Sequence, residues 1–417
     1  MAWDPRANLA SLVTPGPLAP LDGLRSLAVL WVVCFHSLIE LNQTSYFSHT
    51  WGLVSSGDLG VDVFFALSGF LMAFVLLGRK PGVHQVTGQA WCGFLNGVTG
   101  VRPLRFLFRR WVRLTPAYLV AIVANVLATG IPGMSETCKA NWWKNLLFVN
   151  NEVRPWLTDE SCIGQSWSIA IEAQFYVVSP FIVVTMWKWP WATATSIAAC
   201  STALRAFMFL YLAGTSENFN HNLAAGFSSV YTQIHTRMMP YVAGMLACPP
   251  PPTASWGCEA LAAVALVVWG ACSWLGAMGT TVTAMQWGIG YGWPMFAVLV
   301  FTRGVFGAAI SAMIWLMLRP LAGQRRGYIA TGVRWVLSWR LHIPIARLSY
   351  STYLLQFLIM ANPWFGPKMQ PFKPEGDASA AAFFTTALQL VCVLIQVNFL
   401  ALLTYLIVEK PLMNLRR

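Results

Sequence analysis

Charged residues are the scarcest class in this sequence. They make up only 10% of the 417 residues, whereas a soluble domain carries roughly 25% because its surface must stay wet. Hydrophobic residues account for 57% of the chain, and the mean hydropathy is +0.57. A chain this poor in charge cannot cover itself with polar side chains, so most of its surface must face lipid. The 21 Trp and 11 Tyr agree, since amphipathic rings collect at both membrane interfaces.

Three other features are also missing. The six His form no spaced cluster with Cys or carboxylates, so we predict no metal site. No internal repeat is visible. The segment 1–20 contains Pro15, Pro17 and Pro20 and no short apolar core, so we do not expect it to be a cleaved signal peptide. We expect 1–20 to be a cytoplasmic lead-in, 21–411 to be one transmembrane domain and 412–417 to be a cytoplasmic tail.

The net charge of +12 does not indicate nucleic-acid binding, because the basic residues stand in short blocks between apolar runs. This pattern is typical of cytoplasmic loops that follow the positive-inside rule. It predicts that both termini are cytoplasmic and that the loop 132–166 faces the opposite side. The blocks are Arg79, Lys80, Arg102, Arg105, Arg109, Arg110 and Arg113; Arg325, Arg326, Arg334, Arg340 and Arg347; and Lys410, Arg416 and Arg417.

The apolar runs predict an all-α fold, a polytopic transmembrane helical bundle of about ten spans with a range of 10–12. A span needs about 20 mainly apolar residues. The stretch 281–320 is too long for one span, and Arg303 divides it. The candidate spans are 24–41, 59–78, 114–131, 167–187, 191–213, 238–248, 259–278, 281–320, 342–362 and 380–408.

Two of the nine Cys stand apart from the apolar runs. Cys138 and Cys162 bracket a polar, Trp-rich loop that the charge pattern places outside. A disulfide between them is the preferred interpretation, and two free thiols are the alternative. The other Cys lie within or beside apolar stretches, where they are expected to be inert packing residues.

Arg25 and His36 are ionisable residues in the first span, where charge is costly and function is the default hypothesis. Eleven residues make nearly three helical turns, so both side chains share one face and lie about 16 Å apart in depth. This arrangement suits a molecule with a phosphate at one end and a reactive group at the other. The alternatives are a snorkelling anchor for Arg25 and a histidine hydrogen-bonded across helices for His36.

Three further spans carry polar candidates. Glu172 follows Trp167 by five residues, which predicts a position just inside the outer boundary, at the depth of His36, where a carboxylate can orient an imidazole. A structural carboxylate paired with Arg is the alternative. Asp62 is a candidate for supporting the reacting groups through other side chains, and a helix cap is the alternative. Gln174 and Tyr176 add polar groups beside Glu172. Arg109, Arg110 and Arg113 serve topology and are also candidates for binding the phosphates of a donor.

Several blocks occur together and in a fixed order along almost the whole chain, from about 21 to 411. They are LDGLRSLAVLWVVCFHS, GVDVFFALSGFLMAF, RRWVRLTPAY, SWSIAIEAQFYVVSPF, RMMPYVAGML, LSWRLHIPIARLSYSTYLLQF and a closing VEKP. Together they resemble the acyltransferase family 3 membrane enzymes, including the nose-resistant-to-fluoxetine type of eukaryotes. The loop with CKANWWKNLLFVNN is similar to the nose-resistant branch, and IEAQFY is similar to the bacterial O-acyltransferase branch.

The resemblance implies transfer of an acyl group, often acetyl, from cytoplasmic acyl-CoA to a hydroxyl of a sugar, glycan or lipid-like acceptor at the opposite face. Acyl-CoA would be a co-substrate, and no permanently bound cofactor is expected. His36 would be the general base or a transient acyl carrier, and Glu172 would orient it. Arg25 and the basic group of Arg109, Arg110 and Arg113 would bind the donor. No hydrolase-like domain is expected after Arg417 and no Cys-rich domain before Asp22, so onward transfer would use a separate protein.

Two other function classes are consistent with the composition. Polar residues inside spans also occur along the substrate pathways of transporters, although many transporters are built from paired repeats. A scaffold or lipid-handling protein that keeps the fold without catalysis is the second. Consumption of a thioester separates an enzyme from both.

Overall fold

The computed structural model describes the chain over eleven segments. They are 3–16, 18–40, 52–76, 103–127, 134–151, 161–214, 231–248, 257–279, 293–318, 328–360 and 380–415. Over these residues the chain is helical and forms no strand. The predicted all-α fold class is therefore confirmed. The basic residues Arg79, Lys80, Arg102, Arg325, Arg326, Arg416 and Arg417 lie outside the described residues.

The α-helices follow one another along the chain with a few short turns between them. They are α1 (Pro5–Val13), α2 (Ala19–Glu40), α3 (Gly52–Ser55), α4 (Gly60–Leu76), α5 (Pro103–Leu127), α6 (Met134–Leu146), α7 (Trp167–Lys188), α8 (Pro190–Gly214), α9 (Met238–Leu246), α10 (Gly257–Gly279), α11 (Trp293–Leu318), α12 (Tyr328–Leu337), α13 (His342–Met360), α14 (Ala380–Thr404) and α15 (Lys410–Leu415). The 3₁₀ turns are Gly57–Leu59, Gly164–Ser166 and Ile234–Thr236, and a π-helical turn, Tyr405–Glu409, joins α14 to α15.

Six described helices are long and apolar enough to cross a membrane, whereas the sequence predicts about ten spans. α5 carries four arginines in its first half, among them Arg110 and Arg113, and this lowers its hydropathy although it has 25 residues. α9 has only nine residues, too few to cross alone. The count of ten is therefore not confirmed. The six segments are Ala19–Leu38, Gly57–Leu76, Gly164–Met186, Pro190–Tyr211, Phe296–Leu318 and Thr386–Asn414.

α2 and α4 form the middle of the bundle because both contribute to its two large hydrophobic clusters. The first cluster joins them to α5, α7 and α13. The second joins them to α10 and α11 on the other side. Most side chains on these two helices are consequently enclosed by protein, although Leu27 and Val75 are exposed.

The short helix α9 crosses α4 at backbone contact. A Cβ atom at Gly69 would come within 1.9 Å of the Tyr241 carbonyl oxygen, and one at Gly244 within 2.0 Å of the Ala66 carbonyl oxygen. Small residues are used where transmembrane helices must approach this closely. The two glycines therefore set the position of α9 against α4.

The two ends of the described chain meet at one end of the bundle. Ser11 of α1 is 3.1 Å from the Tyr405 hydroxyl, and Asn414 donates to the Asn8 side chain at 3.0 Å. Leu12 packs with Leu348 and Tyr405 in a small cluster of its own. The N-terminal and C-terminal segments therefore lie on the same side of the protein.

A covalent link and a buried polar network fix the start of α7. Cys138 and Cys162 form a disulfide, the pairing preferred from the sequence. Asn145 donates to the Tyr118 hydroxyl at 3.0 Å, Tyr118 donates to the Ser166 hydroxyl at 2.8 Å, and Ser166 donates to the Ile163 carbonyl at 2.6 Å. These contacts hold the turn Gly164–Ser166 inside the protein.

Candidate active site

A cavity of about 110 Å³ lies between α2, α4, α5, α7 and α13. One wall is apolar and comes mainly from α4, including Phe64, Leu67 and Leu71. The opposite walls are rich in charge, with four guanidinium groups against two carboxylates. The charged lining residues are Arg25, Arg110, Arg113, Arg347, Glu172 and Glu409.

Helix periodicity places two of the three arginines of the basic block in the cavity. Arg110 and Arg113 are three residues apart on α5 and therefore share a face. The Arg110 guanidinium stands 5.5 Å from the ring centroid of Tyr176 and 5.5 Å from that of Phe106. Arg109 lies on the exposed face of α5 and does not line the cavity. Of the three arginines predicted to bind the donor together, Arg110 and Arg113 therefore line the cavity and Arg109 does not.

Arg25 lies near the beginning of α2, where it pairs with Asp22 at 3.6 Å and reaches the cavity. Arg347 enters from the first half of α13. The sequence indicated Arg347 only as part of a topology signal, because its block resembles any cytoplasmic loop. Because α2 and α13 are in contact, Arg347 and Arg25 line the same cavity.

Glu172 lies in this cavity and not beside His36. Its Oε1 accepts hydrogen bonds from Ser68 Oγ at 3.0 Å and from the Tyr176 hydroxyl. Glu172 lines the cavity together with both of these partners. The predicted contact with His36 is not formed.

Glu172 does not lie at the level of His36, because Trp167 does not mark the membrane interface. The prediction places this tryptophan at the interface, but Trp167 is only 2% exposed. Its ring packs against Tyr231 and Phe65. The turn before α7 is buried as well, so α7 begins inside the protein, and a residue five positions later lies at the level of the Arg25 cavity.

His36 is buried farther along α2, at a contact with α13. Its Nδ1 is 3.2 Å from Oε1 of Gln356. The rings of Phe35 and Phe357 lie 5.3 Å and 4.8 Å from the imidazole, measured between centroids. Gln356 donates from Nε2 to the carbonyl of Tyr353 at 3.1 Å, and Tyr353 itself lines the cavity. His36 is therefore joined to the cavity through one turn of α13.

Asp62 belongs to a buried ionic cluster and does not act as a helix cap. Arg237 donates to both carboxylate oxygens of Asp62, at 3.0 Å and 3.3 Å, and Arg303 donates to Oδ2 at 2.6 Å. Arg303 also pairs with Asp58. The guanidinium carbons of Arg237 and Arg303 lie 3.9 Å and 4.6 Å from the ring centroid of Tyr231. The cluster ties α4 to α9 and α11.

Gln174 supports a loop and takes no part in the cavity. Its amide nitrogen donates to the Asn151 side chain at 2.8 Å and to the Phe148 carbonyl at 3.1 Å. Phe148 has a positive φ of 56°, a backbone conformation that external hydrogen bonds help to hold. Tyr176, in contrast, lines the cavity as a partner of Glu172.

Several cavity residues were not found from the sequence. Ser351 donates to Glu409 at 2.9 Å, and the Tyr350 hydroxyl donates to the Leu114 carbonyl at 2.8 Å. Glu409 is the acidic residue of the closing VEKP block, so the sequence draws attention to it. The local spacing does not indicate that it contacts α13. The residues missed are Ser68, Arg347, Tyr350, Tyr353 and Glu409.

The arrangement provides an anion-binding cavity at one end and an imidazole farther along the same helix. Guanidinium groups bind phosphate oxygens through charge-assisted, bidentate hydrogen bonds. Among the described residues, no group of three or more His, Cys, Asp or Glu side chains is placed to hold a metal ion. The chemistry within reach is therefore binding of a phosphorylated molecule together with proton transfer at His36.

Comparison with known proteins gives one family and several relatives. The acyltransferase-3 family profile, described as an acyltransferase domain, matches residues 18–405. Nose resistant to fluoxetine protein 6 of Caenorhabditis elegans is 24% identical over 94% of this chain and 50% of its own length. A putative O-acetyltransferase of Staphylococcus aureus is 31% identical over 54% of this chain and 33% of its own length. The O-acetyltransferase OatA of the same species is 28% identical over 42% of this chain and 26% of its own length.

The chain thus spans half the length of the first of these relatives and a smaller share of the others. No solved structure matches it.

Proposed function

This chain belongs to the acyltransferase-3 family, and on that premise we propose that it moves an acyl group, acetyl in the first instance, from acyl-CoA to a hydroxyl of a sugar, glycan or lipid-like acceptor. The donor enters from the cytoplasm and the acceptor is modified at the opposite face. The names of two bacterial relatives, a putative O-acetyltransferase and an O-acetyltransferase, support a hydroxyl acceptor and an acetyl group.

The observation that carries the proposal is the cavity with four arginines. Acyl-CoA has phosphates at one end and a thioester at the end of a long, thin arm. Arg25, Arg110, Arg113 and Arg347 line the cavity. His36 is about 16 Å farther along α2, at 1.5 Å per residue. The enzyme would hold the phosphates at the arginines and direct the thioester toward the imidazole.

In the proposed reaction His36 acts as a general base. The imidazole removes the proton of the acceptor hydroxyl while the hydroxyl oxygen forms a bond to the thioester carbonyl carbon. The bond between that carbon and sulfur breaks, and the departing thiolate receives the proton from the imidazolium. The products are the acyl ester and free coenzyme A. A variant of this reaction, in which His36 carries the acyl group transiently, would be recognised by trapping an acyl-histidine with labelled donor.

Glu172 is assigned to donor binding and not to orienting His36. Its Oε1 is held by Ser68 and Tyr176, and the residue lines the cavity together with Arg25, Arg110 and Arg113. A fixed carboxylate oxygen in this place can accept a hydrogen bond from an amide N–H of the pantetheine arm. Glu172→Gln would then raise the KM for acyl-CoA.

The distribution of basic residues supports one orientation of the protein in the membrane. The arginine-lined end of the bundle is also the end at which Asn8 and Asn414 meet. Basic residues favour the cytoplasmic side, and acyl-CoA is a cytoplasmic metabolite. Both termini are therefore proposed to be cytoplasmic, with the disulfide of Cys138 and Cys162 on the opposite side.

The test uses the purified protein in liposomes with radiolabelled acetyl-CoA outside and a mixture of sugar acceptors inside. We expect label to reach an acceptor, or at least slow thioester hydrolysis, in the wild type. His36→Ala should accumulate in membranes and lose that activity by a factor of about 100 or more, the size of a general-base contribution.

Arg110→Ala and Arg109→Ala form the matched pair for the donor site, since one side chain lines the cavity and the other is exposed. Intact acyl-CoA in every preparation, with acetyl and longer chains alike and without binding of coenzyme A, would contradict the proposal. That result would favour a transporter or a non-catalytic lipid-handling protein.

A further inference from the structure

Gln356 is a fully buried amide in the middle of α13, with 0% of its surface exposed. A primary amide inside a membrane helix needs partners for its donor and its acceptor. Gln356 finds one partner on its own helix and one on α2. The partner on α2 is His36, which is 6% exposed.

The hydrogen bonds determine which way the amide points. A backbone carbonyl can only accept, so the Gln356 atom that lies 3.1 Å from the Tyr353 carbonyl must be Nε2. The oxygen Oε1 is then the atom that faces Nδ1 of His36 at 3.2 Å. Because an amide oxygen can only accept, Nδ1 must carry the hydrogen. In the neutral imidazole the lone pair is then on Nε2.

We propose that Gln356 is a positioning residue that holds His36 in the tautomer with hydrogen on Nδ1 and thereby makes Nε2 the atom that accepts the proton of the acceptor hydroxyl. This inference rests on the general-base role proposed for His36. It assigns to an uncharged side chain the orienting role that a carboxylate fills in a Ser-His-Asp triad.

The position of Gln356 is itself determined by the cavity wall. The Tyr353 hydroxyl donates to the Gln165 carbonyl at 2.6 Å and lies 2.7 Å from the Ser168 hydroxyl. Gln165 donates in return to the Leu354 carbonyl at 3.0 Å. The turn before α7 is thus joined to the same turn of α13 that holds Gln356. Hydrogen bonds within this turn of α13 therefore connect a residue that lines the cavity, Tyr353, with the side chain that contacts the imidazole, Gln356.

The charge of the orienting group matters for the working pH. From α13 the described groups that face the ring are the Gln356 amide and Phe357, and from α2 there is Phe35. Near the end of α2, Leu390 of α14 and Val54 of α3 pack against Leu38. None of these described groups titrates. A neutral acceptor orients the imidazole without placing a charge beside it, whereas a carboxylate would do both.

Two substitutions separate orientation from charge. Gln356→Met keeps length and apolar volume but removes the acceptor, and we expect kcat to fall by a factor of about 10 or more, a fraction of the general-base contribution, with the KM for acyl-CoA unchanged. Gln356→Glu keeps an acceptor and adds a negative charge. It should retain activity at high pH, while the rising limb of its pH–rate profile moves to higher pH because the imidazolium is stabilised.

Gln396→Met is the matched control. Gln396 is a membrane-helix amide of α14 whose Oε1 is buried with no hydrogen-bond partner in the described structure. Its replacement should leave both kcat and the pH–rate profile unchanged. If Gln356→Met equals the wild type in kcat, or Gln356→Glu has the wild-type pH profile, Gln356 does not position the base.

A measurement without turnover distinguishes failure of this inference from failure of the proposed function. In protein labelled with ¹⁵N-histidine, the signals of His36 are those missing from His36→Ala. The chemical shifts of these signals report which ring nitrogen is protonated. We expect hydrogen on Nδ1 in the wild type and a mixture of tautomers in Gln356→Met. Hydrogen on Nε2 in the wild type would overturn the inference even if the protein is an active acyltransferase. Hydrogen on Nδ1 in an inactive protein would leave the assigned geometry intact and reject the proposed reaction.

Discussion

Positions 109 and 110 differ by one step around α5, and that step separates an exposed arginine from one that stands over the Tyr176 ring. Within a basic block, charge alone does not tell which residue binds a ligand. The cavity selects Arg110 and Arg113 by helical phase, with Arg25 and Arg347 added from two other helices.

The affinity for coenzyme A should depend on Arg110, which lines the cavity, and not on Arg109, which is exposed. Arg110→Ala should weaken binding of coenzyme A by a factor of about 10 or more, corresponding to a lost charge-assisted hydrogen bond of about 1.5–3 kcal/mol. Arg109→Ala should leave it within twofold. Equilibrium binding of labelled coenzyme A to protein in detergent measures both. Equal losses in the two variants would mean that the block acts through its overall charge and not through the cavity.

Asp62 is the residue whose loss should be most damaging to stability. It is fully buried and faces Arg237 and Arg303. Asp62→Ala leaves two guanidinium groups without their shared carboxylate, and removal of one partner from a buried pair costs about 3–5 kcal/mol. We expect a large drop in the thermal unfolding midpoint in detergent.

The control for Asp62 is Glu136→Ala, which breaks the exposed pair with Lys139. Exposed pairs contribute little, so its unfolding midpoint should remain at the wild-type value. A stable Asp62→Ala protein would show that the cluster is not needed for folding.

At the residue scale, the structure brings Arg25, Arg110 and Arg113 of the predicted donor-binding residues to one cavity, leaves Arg109 outside it and gives Glu172 other neighbours than His36. Arg25 and His36 share a helix, and a helix has a fixed rise, so their separation could be derived. The depth of Glu172 depended on whether Trp167 touches lipid or protein, which is a tertiary fact. Glu409 and Tyr350 were out of reach for the same reason, because their role depends on which helices pack together.

At the scale of elements, the crossing of α4 and α9 is the tightest contact described. The short helix α9 is held by two glycines that face backbone carbonyls, and it carries Tyr241, whose ring stacks on Phe175 of α7 at a centroid distance of 4.0 Å. α9 therefore supports the helix that bears Glu172.

Enlarging these glycines should separate the two helices. Gly69→Ala and Gly244→Ala each place a methyl group about 2 Å from a carbonyl oxygen, and overpacking of this kind typically costs about 1–3 kcal/mol. The unfolding midpoint should fall in both variants. Gly270→Ala in α10 meets nothing within 4 Å and should be neutral or slightly stabilising, since Ala is the better helix former. A similar response in all three would show that helix propensity, and not the crossing, is being measured.

At the scale of the whole molecule, both described termini lie at the arginine-lined end. Short peptide tags placed before Ala2 and after Arg417 should therefore respond alike to protease in sealed vesicles. Both should be cleaved in vesicles that expose the cytoplasmic face and be protected in vesicles of the opposite orientation. One cleaved and one protected tag would contradict the shared side, and cleavage of both only in the opposite orientation would reverse the proposed topology.

The class of the fold was predictable because composition and apolar run length are properties of the chain alone. The number of spans is not confirmed, for two physical reasons. α5 carries four arginines in its first half, which lower its hydropathy, and two of them, Arg110 and Arg113, line a protein cavity. The run near 238–248 marks an apolar helix of nine residues whose burial comes from α4. Hydropathy measures the preference of a segment for lipid. It does not report contacts with other parts of the protein, such as the cavity that α5 lines or the crossing of α9 with α4.

α2 contributes to both hydrophobic clusters and carries both Arg25 and His36. In the proposed reaction the fixed rise of α2 keeps the spacing between Arg25 and His36 constant. Every coenzyme A thioester has an arm of the same length, so this spacing would accept the whole class without distinguishing its members. Selection among short and long acyl chains would then fall to side chains beside the imidazole, such as Phe35 and Phe357.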